Sequence, residues 1–258
     1  MKQVVQGPSG LSRLFQHRWA PAGFALYFAV VAILQLLASP TAELDQAEQL
    51  VLAQRLQWGY TNQPPLFTWL AWGLFQLTGP SLAVLYGIKV GLLSGFVLAV
   101  VGICRQLDLS PAQRQLALAG TLLLPAVIWE AQRDLTHSLS ATTFAAVTLW
   151  CALWALRCGG WWRYALVGAA AAASLLSKHN TIVFLAAMLL AVLWTPVWRA
   201  RLRLPGLLIA AVVAALLCAP HAWWLHEHAQ VLARTLHKLS HGQSWWAGHT
   251  RLLVELAE

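Results

Sequence analysis

Acid is what this 258-residue sequence has least of: nine Asp and Glu stand against seventeen Lys and Arg, and charged residues of all kinds make up 10% while hydrophobic ones make up 59%. So little charge cannot cover the surface of a soluble domain, and a mean hydropathy of +0.61 places the chain among membrane proteins. Cysteine is also scarce. Cys104, Cys151, Cys158 and Cys218 lie in or at the ends of apolar runs and show no CxxC spacing, which argues against a disulfide framework or a zinc site built from them. Low-complexity linkers, internal repeats and soluble domains are missing. No basic and aromatic pattern marks a soluble face, so nucleic acid is excluded as a partner, and the net charge of +8 predicts contact with the lipid bilayer through anionic headgroups.

What the chain does have is long uncharged runs. A helix needs roughly 20 apolar residues to cross a hydrocarbon core, and runs near 22–39, 82–104, 115–131, 138–156, 162–177, 180–197 and 204–225 meet or approach that length. The expectation is an all-α polytopic membrane protein of about seven transmembrane helices, with a module over 1–225 and an amphipathic tail over 226–258. An eighth apolar run, Leu66 to Thr78, is short and bounded by Pro64, Pro65, Gly79 and Pro80, which predicts an interfacial helix instead of a span. Positive charge supports that choice. With the N-terminus inside, Lys2, Arg13, Arg18, Arg105, Arg114, Arg157, Arg163, Arg199, Arg201 and Arg203 all become cytoplasmic, ten of the seventeen basic residues; letting 66–78 cross would destroy the bias. The first twenty residues followed by an apolar stretch read as an uncleaved signal anchor, with cleavage after the small residues of "LLASPTA" as the alternative. Trp161, Trp162, Trp194, Trp198, Trp223 and Trp224 fall at span ends, as an aromatic belt does.

Two segments remain outside the spans on the outer side, residues 40–81 and the tail. In the first, Leu44, Ala47, Leu50 and Val51 recur on one helical face, with Asp45, Gln46, Glu48 and Gln49 on the other. This predicts an amphipathic helix on the outer surface, its acids near the N-terminus where the helix dipole favours them. The plain reading is a solvated face. The functional one is that the carboxylates sit at headgroup level under a hydrophobic cover, where a lipid-borne substrate presents its polar head.

The run "DQAEQLVLAQRLQWGYTNQPPLFTWL" resembles the first outer loop of membrane glycosyltransferases of the GT-C fold, in the branch of the RgtA/B/C/D-like enzymes, the lipid A aminoarabinose transferases and the protein O-mannosyltransferases. Members of that branch commonly read Asp-Glu-Ala and then Trp-Gly-Tyr-Tyr-Asp-His-Pro-Pro-Leu, without a gap from Asp45 to Leu66. The likeness continues through "LYGIKVGLLSGF", "RDLTHSLSATTF" and "LLSKHNTIVFL". It implies a transferase in a bacterial-type inner membrane, N-terminus cytoplasmic and first loop periplasmic. Such an enzyme moves a sugar from a polyprenyl-phosphate carrier to an acceptor lipid, glycan or protein. The family's loop acid falls on Asp45, which the resemblance casts as the base or orienting group for the acceptor hydroxyl, with Glu48 its assistant.

Chemistry of that kind also needs cations for the departing phosphate. Lys89, inside the second span, reads either as a phosphate contact or as a side chain snorkelling to the headgroups. Arg133 and Lys178 stand in the second and third outer loops as further phosphate ligands, while Tyr60, Gln46, Asn62 and Gln63 complete the substrate-binding set. Gln46, Asn62 and Gln63 replace ionisable residues of the family pattern by amides, which hydrogen-bond but carry no proton and bind divalent cations weakly. No cofactor is called for, and a divalent cation would need Glu43 or Glu48 to compensate. His237 and His241 have a spacing that can hold a metal, but an interfacial helix explains the tail more simply, and no metal site is assigned. A non-catalytic carrier-binding subunit and a transporter are the alternative readings.

Overall fold

The computed structural model describes residues 20–39, 41–60, 63–131 and 136–230. No strand occurs among them. The helices are α1 (Ala20–Ala38), α2 (Leu44–Leu52), α3 (Leu66–Thr78), α4 (Leu82–Gln106), α5 (Pro111–Leu122), α6 (His137–Cys158), α7 (Trp161–Ser177), α8 (Thr181–Trp194), α9 (Pro196–Arg199) and α10 (Leu204–Glu227), with a π-helical turn at Ala126–Glu130. The protein is an all-α membrane protein. Among the described residues, four helices are long and apolar enough to cross a bilayer: Pro21–Ala38 in α1, then α4, α6 and α10. The expected spans at 162–177 and 180–197 appear as the shorter α7 and α8, of 17 and 14 residues. The signal-anchor reading, Arg133, Asn62 and the His237–His241 pair fall outside the described residues.

The stretch 115–131 is not a single helix. Ser110 starts α5 with a reciprocal capping box to Gln113 and with Pro111 in its first turn. The helix stops at Leu122, three residues before Pro125. Proline offers no N–H and its ring crowds the carbonyl four residues back, so the chain resumes as a π turn.

Parallel neighbours α4 and α6 form the centre. The Thr143 hydroxyl donates to the Leu92 carbonyl at 3.1 Å, and Arg157 donates to the Gln106 carbonyl, a constant offset of 51 positions along both helices. Helix α1 packs on α4 and α10 packs on α7. At the α6–α7 corner, Gly159 and Gly160 have φ of 64° and 88°, a region that L side chains enter only at a cost. Close approach between α7 and α10 also depends on glycine: a Cβ on Gly168 would lie 2.3 Å from the Ala210 carbonyl oxygen, and one on Gly206 would lie 2.5 Å from the Tyr164 ring.

The core cluster is built from Phe24 and Phe28 of α1, Phe67, Ala71 and Phe75 of α3, and Leu85, Ile88, Leu92, Leu93, Phe96 and Val97 of α4. Helix α3, expected in the interface, therefore presses one face into the bundle, while Leu77 on its other side is exposed.

Candidate functional site

Helix α2 forms where the amphipathic pattern places it, but it faces the other way from the solvated reading. Leu44 and Val51 are 82% and 68% exposed, whereas Gln46 and Gln49 are completely buried. The polar face docks on the protein, while Leu44 and Val51 of the apolar face are left exposed. Local sequence dictates how the helix starts: the Gln46 side-chain oxygen accepts the Glu43 N–H at 3.2 Å, so one of the family-pattern amides caps the helix.

That inward face meets the start of α6, where three consecutive residues gather polar partners. The Asp45 carboxylate accepts from both the backbone N–H and the hydroxyl of Thr136 at 3.4 Å. One residue on, His137 Nε2 lies 3.2 Å from Gln49 Nε2. Next, Ser138 Oγ accepts from Lys178 Nζ at 2.9 Å. An acid from α2 and a cation from the α7–α8 connection are thus gathered on one turn, although they are 133 positions apart in the sequence. Glu48 lies one turn along α2 from Asp45 and is partly buried.

His137 is the residue that sequence reasoning missed. An amide nitrogen only donates, and Gln49 Oε1 already accepts the Thr68 hydroxyl at 2.7 Å, so Gln49 donates to His137 Nε2. The ring proton is thereby placed on Nδ1, a buried atom with no hydrogen-bond partner. Thr68, Gln49 and His137 form a buried chain that ties α3, α2 and α6 together. No motif pointed to it, and the sole available signal was a polar triplet opening an apolar run. Replacing His137 by Leu strands the buried Gln49 amide donor, at a cost of about 1–3 kcal/mol. Thermal unfolding in detergent should register that loss, and His137→Gln, which keeps an acceptor, should recover most of it.

Lys89 is 2% exposed, with its ammonium 5.6 Å from the centre of the Tyr86 ring. The position is buried in protein, which rules out the snorkelling reading. The α4–α6 offset brings Lys89 level with Ser140, less than one turn beyond His137. It also continues a face of α4, seven residues before Phe96. Phe96, Val100 and Ile103 line a groove of about 550 Å³ between α4, α6 and α8. Ser138, Lys178, Asn180 and Thr181 stand at one end of it, and Leu149, Val100 and Ile103 lie farther down. A cationic, hydroxylated mouth over an apolar channel suits an amphiphile with an anionic head.

The rest of the first loop is fastened down. Tyr60 donates its hydroxyl to the Arg55 carbonyl at 2.8 Å and accepts the Gln57 N–H at 3.1 Å, and burial raises its pKa. His221 of α10 bonds through Nδ1 to the Trp58 carbonyl at 2.9 Å, and its Nε2 is 3.4 Å from that of His179. Burial, with His221 opposite, lowers the pKa of His179, the neighbour of Lys178, so this imidazole is neutral at pH 7. Trp224 fills the space beside Gly59, where a Cβ would lie 2.1 Å from its ring. Gln63 is partly buried beside the fully buried Pro64.

Comparison with known proteins covers most of the chain. The family described as dolichyl-phosphate-mannose-protein mannosyltransferase matches residues 62–224. A lipopolysaccharide core galacturonosyltransferase, RgtB of Rhizobium johnstonii, is 33% identical over 224 residues, covering 86% of this chain and 45% of the relative. RgtA of the same organism is 31% identical over 221 residues, covering 84% and 44%. The chain spans less than half the length of these curated relatives. No solved structure matches it. With a family match over most of its length and an α-helical membrane fold, the chain belongs to the dolichyl-phosphate-mannose-protein mannosyltransferase family of GT-C membrane glycosyltransferases.

Proposed function

We propose that the chain carries the donor-handling site of a membrane glycosyltransferase, which moves a sugar from a polyprenyl-phosphate carrier to a lipopolysaccharide-type acceptor on the periplasmic face of the inner membrane. The observation that carries this reading is the meeting of Asp45 and Lys178 on one turn of α6, above an apolar groove. In this reading the isoprenoid lies between α4, α6 and α8, and its phosphate rests at Lys178 and Ser138. Lys89 adds positive charge from the α4 side. Asp45 takes the proton of the acceptor hydroxyl as that oxygen bonds to the anomeric carbon; the bond from that carbon to the phosphate oxygen breaks, and the cations hold the departing phosphate. The names of the relatives point to a uronic acid as the sugar and to the lipopolysaccharide core as the acceptor. Arg133 and Asn62 belong to the same proposal by their place in the family pattern.

Lys178 separates binding from chemistry. A charge-assisted hydrogen bond contributes about 1.5–3 kcal/mol, so Lys178→Gln is expected to raise the KM for a polyprenyl-phosphate sugar roughly 10- to 100-fold. Steady-state transfer by the protein in proteoliposomes, with radiolabelled donor and core lipopolysaccharide, reads this directly. An unchanged KM would remove Lys178 from the phosphate site. Tight carrier binding with no transfer by the unmodified protein would favour the carrier-binding subunit instead.

A further inference from the structure

Helix α6 runs the length of the bundle from His137 to Cys158, and at its far end the molecule presents a second, separate feature. A cavity of about 200 Å³ opens between α6, α7, α8 and α10, lined by Leu156, Tyr164, Gly168, Met188, Leu202 and Ala211 among others. Its one hydroxyl on α6, that of Thr148, is already bonded to the Phe144 carbonyl at 2.6 Å. Ala211 in this wall is exposed, so the cavity is open sideways to the surrounding lipid.

Two guanidinium groups converge on Gly159, three residues past Leu156 of the cavity wall. Arg163 Nη1 donates to the Gly159 carbonyl at 2.8 Å, and a Cβ on Gly159 would lie 3.0 Å from Arg203 Cζ and Nη1. Arg163 is held in place by the rings of Trp162 and Trp154, 4.5 and 4.9 Å from its guanidinium carbon. Its Nε is buried and has no hydrogen-bond partner. No carboxylate of the described residues pairs with either arginine; Asp108, the acid at this end, is taken by Arg157 at 2.8 Å. Two like charges packed on the same glycine repel unless an anion lies between them. Tyr164 and Leu202, which line the cavity, are the chain neighbours of Arg163 and Arg203, so the paired charges and the apolar space form one site.

We propose that this site binds an anionic phospholipid, its phosphate held between Arg163 and Arg203 and one acyl chain lying in the cavity between α6, α7, α8 and α10. Basic pockets between membrane helices take such headgroups, and a chain segment would restore the contacts that an apolar void gives up. The site is distinct from the groove under Lys178.

Native mass spectrometry of the purified protein in detergent, titrated with phosphatidylglycerol or phosphatidylcholine, tests the idea. Phosphatidylglycerol should bind in preference, and the double variant Arg163→Gln, Arg203→Gln should weaken it roughly tenfold. Ala211→Trp leaves both arginines intact but fills the cavity, so it should also weaken binding, and as an exposed site it keeps the test available should the arginine variant not fold. The control variant Arg199→Gln, Arg201→Gln lies on the same rim and should leave the preference unchanged. Equal binding of the two lipids, equal loss in the control variant, or full retention by Ala211→Trp would each overturn the proposal.

Discussion

Asp45→Asn is expected to reduce sugar transfer by about 100- to 10,000-fold, the range over which a positioned general base contributes, while donor KM and thermal stability change little. The amide keeps the shape of the carboxylate and can still accept from Thr136, so α2 should stay docked. It cannot take up the acceptor's proton. The separation between lost turnover and retained fold is what makes this variant informative. Parallel loss of stability would show that Asp45 serves chiefly to fasten α2 to α6, and unchanged transfer would remove it from the chemistry. Glu48→Gln, one turn away on the same helix, should lower the rate far less.

Gly168→Leu should produce the largest structural effect in the bundle. At Gly168 the obstruction is backbone: the added Cβ would sit 2.3 Å from the Ala210 carbonyl oxygen and 3.0 Å from Ala210 Cα. No rotamer change relieves that contact, so α7 and α10 must separate, at a cost at or above the roughly 1–3 kcal/mol typical of overpacking. The damage should also travel. Helix α10 carries His221, which holds the Trp58 carbonyl, and Trp224, which packs on Gly59. Detaching it frees the first loop. A drop in the unfolding temperature should therefore be accompanied by faster proteolysis around residues 55–60. Gly23→Leu, where no atom lies within 4 Å of the new Cβ, is the matched control; similar losses in both variants would refute the packing account.

Much of the architecture was legible in the sequence because a bilayer imposes simple demands. Long uncharged runs report spans, and α1, α4, α6 and α10 lie where those runs do. The short run at Leu66–Thr78 was legible as a separate short helix through the prolines and glycine around it. Asp45 stood out because acids are so few. The interruption at Pro125 was legible in principle, but hydropathy averages over a proline and the run 115–131 looked continuous. His137 could not be found, since one histidine at the head of an apolar helix has no local partner to mark its role; Gln49 and Thr68 are 88 and 69 positions away in the sequence.

The sequence by itself determined that the chain is an all-α membrane protein, that its first loop contains a two-faced helix bearing Asp45, and which family it resembles. The first two follow from local composition and spacing, and the third from the likeness of the loop motif through Asp45 to Leu66. Only the tertiary structure decided which way the helix turns. Periodicity specifies that α2 has a polar and an apolar face, but it cannot say which medium meets each one. Packing set the polar face against the buried start of α6 and left Leu44 and Val51 exposed, and that choice brings Asp45 to the same turn as Lys178. The same holds for Lys89. Its charge was visible in the sequence, but its burial, and its place level with Ser140 of α6, depend on a helix register fixed by contacts 51 positions apart.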